Sequence, residues 1–355
     1  MAGLRATLVT PLSGPLALFG QACAAGLTLW ARHSAHLPAP WSSVELDIRD
    51  TGKDVGTSIR AALDTHPDVL FGPYGSNTML AAALASERVI WNHGGATSRL
   101  ARPEFPQVIN VLSPASTYFA GTLQAIRTSD PQAATISLFH STSGFGHDVA
   151  TGAARVAASF NFMVHSIPFA PHDAAATAST VPQADILLTV GTFEDELAAA
   201  PILLARPWRA AAFVGAGVEE VLAALGALRE GLIGPAQWIA SAAPTPDEGP
   251  EADWFVRMYR DATGSDPAYP AAQAFAAGLL CARCLRDSGH CDDAAQLAAA
   301  RQLTCTTLYG AFRLDPLTGL QSGHQVLTVQ WQDGVRRVVW PPEQAERPLR
   351  LAPSP

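Results

Sequence analysis

Residues 69–84 read VLFGPYGSNTMLAAAL, and this stretch decides the fold class. It opens with apolar residues that suit a short buried strand, passes through a glycine-containing turn, and ends in an alanine-rich run that favours a helix. Strand, turn and helix form the repeating unit of α/β proteins with parallel sheets.

The succession repeats along most of the chain. The predicted strands are Arg5–Thr10, Val44–Asp50, Val69–Gly72, Val89–Asn92, Val108–Val111, Thr135–Phe139, Met163–Pro168, Ile186–Val190, Ala211–Gly215, Trp238–Ala240, Leu308–Leu314 and Gln325–Gln332. The predicted helices are Phe19–His33, Val55–Asp64, Thr78–Glu87, Tyr118–Ile126, Phe145–Phe160, Glu194–Leu204, Val218–Leu228, Pro250–Thr263 and Ala271–Ser288. This alternation predicts parallel sheets covered by helices on both faces.

The chain is long enough for two lobes, since its 355 residues exceed the size at which one core keeps growing. We expect an α/β fold of two Rossmann-like doubly wound lobes joined by a multi-strand hinge. The N-terminal lobe should comprise 1–116 plus 241–308, and the C-terminal lobe 117–240 plus 309–355. Open α/β sheets bind ligands at the carboxyl ends of their strands, so a ligand cleft is expected between the lobes.

Composition argues against several classes of protein. A net charge of −8 without any Lys/Arg run opposes binding to nucleic acid, and no long uninterrupted apolar stretch predicts a membrane span. We interpret residues 1–25 as a strand, a turn and a helix start rather than a secretion signal, because Pro11, Gly14 and Pro15 interrupt the apolar run. Only four residues precede the first predicted strand, which leaves no room for a helix-turn-helix.

The sequence predicts no catalytic residue, metal site or cofactor. It lacks the motifs of serine hydrolases, zinc proteases, P-loops and dinucleotide-binding proteins. A zinc site is an alternative for four cysteines, but their spacing favours buried small residues with room for one bridge: Cys281, Cys284, Cys291 and Cys305. Two pairs of acids are interpreted as solvated surface groups: Asp195/Glu196 and Asp292/Asp293.

Three segments at predicted strand ends carry candidate binding groups: residues 11–20, 71–78 and 91–98. Ser76 lies where a helix N-cap belongs, so free N–H groups of the first turn can bind a carboxylate. Thr97 offers a donor and an acceptor beside glycines that expose the backbone. Phe19 lies at the mouth of the first helix, and His93 is interpreted as structural because no partner acid or nucleophile accompanies it.

These loops belong to a longer series of motifs that resembles the leucine/isoleucine/valine-binding protein family, the type I periplasmic binding proteins that serve ABC importers. The series covers nearly the whole chain: Ser13-Gly14-Pro15 with Phe19-Gly20, Gly72–Thr78, Gly94–Thr97, Phe145-Gly146, Pro267-Ala268-Tyr269 with Ala271-Ala272, and Tyr309–Asp315 followed by Gln330–Gly334. The resemblance implies a noncovalent binding protein, not an enzyme.

The resemblance also implies site residues. Ser76 and Thr97 are expected to hold a ligand carboxylate and ammonium with the Gly95 carbonyl, while Phe19 and Phe145 enclose the ligand side chain. The full predicted set is Phe19, Tyr74, Ser76, Gly95, Ala96, Thr97, Phe145, Thr192, Phe193 and Gly217.

The second lobe departs from the family pattern. Thr192 or Phe193 falls where the amino-acid binders have an aromatic residue, and Gly217 falls where they have the acid that pairs with the ammonium. Because an unpaired buried ammonium is costly, either one of three nearby acids pairs with it or the ligand lacks that charge: Glu194, Glu219 or Glu220. Amides, urea-like molecules, and aromatic or aliphatic acids then join amino acids as candidate ligands.

The expected function is capture of a small amino acid or related polar molecule for an ABC importer, by closure of the lobes. The expected partners are this ligand and a membrane permease, and the family location is periplasmic or extracellular. The alternative is a cytoplasmic amide or amino-acid sensor on the same fold that regulates a partner protein. A sequence that starts at a strand without a secretion signal favours this alternative.

Overall fold

The computed structural model describes residues 2–33, 35–101 and 103–352. In chain order the strands are β1 Ala2–Thr10, β2 Trp41–Asp50, β3 Val69–Phe71, β4 Ile90–Asn92, β5 Val108–Asn110, β6 Thr135–Ser141, β7 Met163–Phe169, β8 Ile186–Val190, β9 Ala210–Phe213, β10 Ile233–Ala236, β11 Cys305–Thr307, β12 Gly310–Phe312, β13 Leu327–Gln332 and β14 Val335–Trp340. The helices are α1 Ala17–His33, α2 Val55–Leu63, α3 Ser76–Leu84, α4 Ala120–Ser129, α5 Gly144–Ser159, α6 Ala174–Ala178, α7 Phe193–Leu203, α8 Ala252–Thr263, α9 Tyr269–Ser288 and α10 Asp293–Gln302. The predicted α/β alternation is confirmed.

The chain forms two compact units. The first unit contains Met1–Pro114 and Trp238–Gln325, and the second contains Ala115–Gln237 and Val326–Pro355. The chain therefore passes from one unit to the other three times. The first two passages lie within three residues of the predicted positions.

The third predicted passage, after residue 308, is wrong. Residues 309–325 belong to the first unit because they bond to the end of β5. Asn110 Nδ2 donates to the Gly319 carbonyl at 3.0 Å, and Gln321 Nε2 donates to the Val111 carbonyl at 3.2 Å. The hairpin of β11 and β12 closes this segment.

The first unit is built on a parallel five-stranded sheet in the order β2-β1-β3-β4-β5. Helices α1 and α9 pack closely because two glycines permit it. A Cβ atom at Gly26 would lie 2.2 Å from the Ala271 carbonyl oxygen, and one at Gly278 would lie 2.3 Å from the Trp30 ring. Trp30 is fully buried and meets Phe71 edge to face at 5.8 Å. These contacts build the apolar interior on one face of the sheet.

The second unit is built on a seven-stranded sheet in the order β14-β13-β10-β9-β8-β6-β7. Strands β6 to β10 run parallel, whereas β13 and β14 are antiparallel additions at one edge. The rings of Phe139 and Phe169 pack in its core at a tilt of 31°, with centroids 4.4 Å apart. Trp331 of β13 extends this core, and its indole N–H donates to the Ala216 carbonyl at 2.9 Å.

Two predicted elements are wrong. The helix expected over Val218–Leu228 is replaced by short 3₁₀ turns over Ala223–Arg229, because Gly226 has a φ of 52° and a ψ of −123° that no helix contains. The strand expected over Trp238–Ala240 lies four to five residues earlier, as β10. Trp238 instead directs its indole N–H to the Leu308 carbonyl at 2.9 Å and packs on Phe255.

The cysteines are all free thiols. Cys281, Cys284 and Cys305 are buried and Cys291 is half-buried, so the expected burial is confirmed and the bridge is not formed. Within residues 2–33, 35–101 and 103–352, no cluster of three or more His, Cys, Asp or Glu side chains is arranged to hold a metal ion. In the same ranges, no helix combines the length and the apolar character needed to cross a bilayer.

Candidate functional site

Three loops of the first unit meet at the carboxyl edge of its sheet. They follow β1, β3 and β4, which are adjacent in the strand order. The Gly75 N–H donates to the Gly94 carbonyl at 2.9 Å, which joins the loop after β3 to the loop after β4. A Cβ at Gly94 would lie 2.5 Å from the Tyr74 Cα, so this approach requires glycine. The three loops predicted from the sequence thus form one surface.

Helix α3 presents its N-terminus at this surface. Gly75 is the N-cap, with a φ of 101°, and Ser76 is the first helical residue, so the predicted N-cap position of Ser76 is one residue too late. Gly75 takes the cap because its backbone conformation disfavours residues with a Cβ. In the described part of the chain, no acceptor meets the N–H groups of Ser76, Asn77 and Thr78. A helix N-terminus with open N–H groups favours an anion.

Thr97 lies in the loop after β4 and caps the 3₁₀ turn over Ser98–Leu100. Its hydroxyl accepts from the Arg99 N–H at 3.3 Å, and its side chain is nearly buried, with 4% exposed. A hydroxyl that accepts one bond still has a proton to donate. Gly95 and Ala96 are buried in the same loop.

Asn92 holds this loop in shape, although the sequence did not single it out. Its side-chain oxygen accepts from the N–H groups of Gly94 at 3.3 Å and Gly95 at 2.7 Å. Its amide nitrogen donates to the Gly95 carbonyl at 2.8 Å and to Asn110 Oδ1 at 2.9 Å. Asn92 is completely buried, so these bonds are shielded from water.

An aromatic cluster borders the loops. Phe19 stacks on Tyr74 with centroids 5.0 Å apart and approaches Tyr269 at 6.2 Å. The hydroxyl groups of Tyr74 and Tyr269 are hydrogen-bonded to each other. The structure brings together the predicted Phe19 and Tyr74, and adds Tyr269 from the first residue of α9.

His93 is fully buried beside the site loop. Burial lowers the pKa of its imidazole to about 4, against smaller opposing effects of backbone groups of His93 itself and Gly72. The ring is therefore neutral near pH 7. This state fits the structural role expected from the sequence.

In the second unit, Phe145 lies in the first turn of α5, directly after β6. Ser143 caps this helix by accepting from the Gly146 N–H at 3.1 Å. The Phe145 ring is half-buried and meets Tyr118 edge to face at 5.8 Å. Burial raises the pKa of the Tyr118 phenol to about 12, so it stays protonated.

The predicted residues after β8 serve the start of α7. Thr192 is the N-cap, and its hydroxyl accepts from the Asp195 N–H at 3.1 Å in a capping box. Phe193 is the first helical residue and is half-buried. The Thr192 side chain thus has a local structural partner.

Gly217 lies at the end of a 3₁₀ turn that follows β9. A Cβ there would lie 1.7 Å from the Pro235 carbonyl oxygen, so the position requires glycine. Its own carbonyl accepts from Arg336 Nη1, and Arg336 Nη2 contacts Glu219 Oε2 at 3.4 Å. Burial lowers the pKa of the Arg336 guanidinium. The Arg336 guanidinium therefore lies beside Gly217, the position at which the family pattern predicts an acid.

The interpretation of Asp195 and Glu196 as solvated is wrong, since their exposed fractions are 3% and 1%. Glu196 Oε2 accepts from the Gly215 N–H at 2.7 Å, and this bond, with the backbone of Gly191 and Val214, favours a lower pKa of the carboxyl. Burial nevertheless raises its pKa to about 8. The loops after β8 and β9 fold over this side chain, which the local sequence does not reveal. Asp292 is the exposed N-cap of α10. Asp293 is half-buried and forms an ion pair with Arg88.

The two units together match a known protein family in sequence. A model described as periplasmic binding protein matches residues 4–335. The chain is a periplasmic binding protein of the leucine/isoleucine/valine type. Proteins of this family are solute-binding components of ABC transporters.

Solved structures share the fold of this binding protein. A leucine-binding protein from Thermotoga maritima is 16% identical, with a TM-score of 0.78 over 94% of this chain and 97% of that one. An ABC transporter substrate-binding protein from Sphaerobacter thermophilus is 19% identical, with a TM-score of 0.79 over 95% and 96%. A solute-binding protein from R. palustris in complex with benzoate is 17% identical, with a TM-score of 0.76 over 95% and 96%. At these identities the likeness concerns the fold.

Proposed function

We propose that this binding protein captures a small organic carboxylate at the carboxyl edge of the first-unit sheet and delivers it to an ABC permease. The observation that carries the proposal is the open N-terminus of α3 held against the loop that contains Thr97. The first-turn N–H groups and the Thr97 hydroxyl supply donors for carboxylate oxygens. No covalent step is involved.

The strength of such a site is adequate for solute capture. A hydrogen bond to a charged group contributes about 1.5–3 kcal/mol net, and a micromolar dissociation constant corresponds to about −8 kcal/mol. Three or four such bonds contribute about 5–12 kcal/mol, and apolar contacts at Phe19 and Tyr74 add to this sum. The sum is opposed by the loss of ligand translation and rotation, which costs about 4 kcal/mol or more. The proposed ligand therefore has a carboxylate at one end and an apolar group at the other.

For the second unit by itself, the predicted residues are proposed as ligand contacts through apolar rings and backbone groups. Phe145 offers part of a ring that Tyr118 supports, and Phe193 offers a second half-buried aromatic residue. Thr192 and Gly217 are proposed to act through the backbone, because one caps a helix and the other has no side chain. An alanine variant of Phe145 tests this contribution separately.

The ligands named for similar structures support the chemistry. One of those proteins is a leucine-binding protein, and others were solved with benzoate and with 4-hydroxybenzoate. Leucine and the two benzoates share a carboxylate and an apolar body. They differ in the ammonium group, which only leucine carries.

The proposal is tested by calorimetry and thermal shift with carboxylates, amino acids and simple amides. A ligand at 100 times its dissociation constant adds roughly 2.7 kcal/mol, which moves the midpoint by several degrees. The test variant combines Ser76→Pro with Thr97→Val. Proline suits the first helical position and removes an N–H, while valine keeps the shape of threonine without its hydroxyl.

The matched control combines two exposed substitutions, Ser42→Ala and Thr128→Ala. We expect the control to bind like the wild type and the test variant to lose at least tenfold in affinity. Binding of amides alone, or equal binding by both variants, would exclude the proposed carboxylate site.

A further inference from the structure

The side-chain amide of Asn92 is fully used by the site loop. Its two acceptor positions meet the N–H groups of Gly94 and Gly95, and its two donor positions meet the Gly95 carbonyl and Asn110 Oδ1. The orientation of the amide is fixed from outside, because Asn110 Nδ2 donates to the Gly319 carbonyl at 3.0 Å and so turns its oxygen towards Asn92. The Asn92 N–H groups therefore point at the Gly95 carbonyl.

This arrangement changes what the loop offers to a ligand. The Gly95 carbonyl already accepts a bond of 2.8 Å from a donor that carries partial positive charge. An ammonium that approached this oxygen would meet that donor in a buried, weakly screened environment. The N–H groups of Ser76 and Asn77 and the hydroxyl of Thr97 favour a carboxylate in contrast. Because Asn92 takes one of the two lone pairs of the Gly95 carbonyl, these groups together offer a ligand more donors than acceptors.

The carboxylate of Asp50 in the first unit does not offset this shortage. Asp50 ends β2 and accepts from the Leu12 N–H at 2.9 Å and the Ser13 hydroxyl at 2.6 Å. In the sheet order, β2 lies three strand spacings from β4, which is roughly 14 Å. Asp50 therefore shapes the loop after β1 and does not reach the Gly95 carbonyl.

Four acids that follow β8 and β9 in the second unit are also occupied or exposed. Glu196 is enclosed and accepts a bond from a backbone N–H group, and Glu219 contacts Arg336. Glu194 and Glu220 are exposed, where water weakens any ion pair. None of them supplies the desolvated acid that a buried ammonium needs.

We infer that this binding protein selects carboxylates that carry no ammonium group, and that Asn92 is the residue that positions the loop for this selection. The inference rests on the carboxylate site proposed above. It assigns the ligand to the class of aliphatic or aromatic monocarboxylates, in preference to α-amino acids of the same shape.

The first test compares matched pairs on the wild-type protein by calorimetry at pH 7. The pairs are 3-phenylpropanoate with L-phenylalanine and 4-methylpentanoate with L-leucine, which differ only in the ammonium group. We expect the ammonium-free member to bind at least tenfold more tightly in each pair that binds. An amino acid that binds as tightly as its partner, or more tightly, overturns the inference.

The second test is Asn92→Asp. Aspartate keeps an oxygen for the Gly94 and Gly95 N–H groups but replaces the donor beside the Gly95 carbonyl with a second oxygen. We expect the preference to move towards the amino acid by at least tenfold. Asn92→Leu removes both functions and should weaken both members of a pair without reversing their order, and Asn161→Asp is the exposed control for the same change of charge.

These outcomes separate the inference from the function on which it rests. If Ser76→Pro/Thr97→Val abolishes binding of a pair in which the wild type prefers the amino acid, the carboxylate site stands and the inference is wrong. If no carboxylate of either kind binds the wild type, both are wrong. The wild-type comparison decides the matter even where Asn92→Asp does not fold.

Discussion

Replacing Glu196 by glutamine should remove a pH-dependent loss of stability. In the folded chain, burial raises the pKa of this carboxyl from 4.5 to about 8. Between these values the folded protein keeps a proton that the unfolded chain releases, so Glu196 lowers the free energy of unfolding as the pH rises. Stability is highest below the unfolded pKa and falls through the window up to pH 8.

The magnitude follows from the size of the shift. Each unit of pKa corresponds to about 1.4 kcal/mol, and the interval from pH 5 to pH 7.5 lies almost entirely inside the window. Over this interval the wild type should lose about 3 kcal/mol through Glu196, whereas Glu196→Gln should not. Glutamine keeps an oxygen that can accept the Gly215 N–H, so the loop contact is retained.

The assay is urea denaturation followed by tryptophan fluorescence at pH 5 and pH 7.5. At each pH, the unfolding free energy of the wild type is subtracted from that of the variant. The two differences are then compared, so that the contributions of other titrating groups cancel. Glu194→Gln is the matched control, because its side chain is exposed in the same helical turn. An equal difference at both pH values, or a variant that becomes relatively less stable at pH 7.5, would refute the reasoning.

Three further substitutions test the first unit. Gly94→Ala places a Cβ 2.5 Å from the Tyr74 Cα, so it should lower the unfolding free energy by about 1–3 kcal/mol and weaken ligand binding; unchanged values would contradict the required approach of the loops. Tyr269→Phe removes a hydroxyl bonded to Tyr74 and should lower the unfolding free energy in urea denaturation by about 1 kcal/mol. An unchanged unfolding free energy would contradict a stabilising role of that bond. His93→Leu should reduce the fall in unfolding free energy at acidic pH. The pKa of His93 is lowered to about 4 in the folded chain, so between pH 6.5 and pH 4 only the unfolded chain binds a proton at this residue. The wild type should therefore lose about 3 kcal/mol of unfolding free energy over this interval, and the variant should not. A parallel acid profile for that variant would count against the buried neutral ring.

Periodicity predicted most elements because their apolar runs are regular. The strand Ile186–Val190 was predicted at its observed bounds, and α1 and α5 differ from expectation by one or two residues. The errors fall where tertiary contacts decide. Residues 233–236 contain Gly234 and Pro235, which predict a turn, yet they form β10 because Gly234 allows the backbone of Ala216 and Gly217 to approach within 2.6 Å of its Cβ position.

The candidate site was predicted in part. Phe19, Tyr74 and Thr97 lie on loops that a strand pattern locates, since parallel strands end at one edge. Asn92 and Tyr269 were missed as site residues because their roles depend on partners 18 and 195 residues away, Asn110 and Tyr74. A side chain with several hydrogen-bonding positions at the last residue of a predicted buried strand was the only local signal for Asn92.

The close contact between α1 and α9 has a consequence for biosynthesis. The strands of the first sheet and α1 are complete by residue 110, but α9, against which Gly26 and Trp30 pack, begins only at Tyr269. At about 5–20 residues per second, the ribosome needs on the order of ten seconds or more to supply it. During that interval the nascent chain carries an uncovered apolar helix face, so factors that shield emerging polypeptides should engage this protein at α1 and leave once α9 has formed.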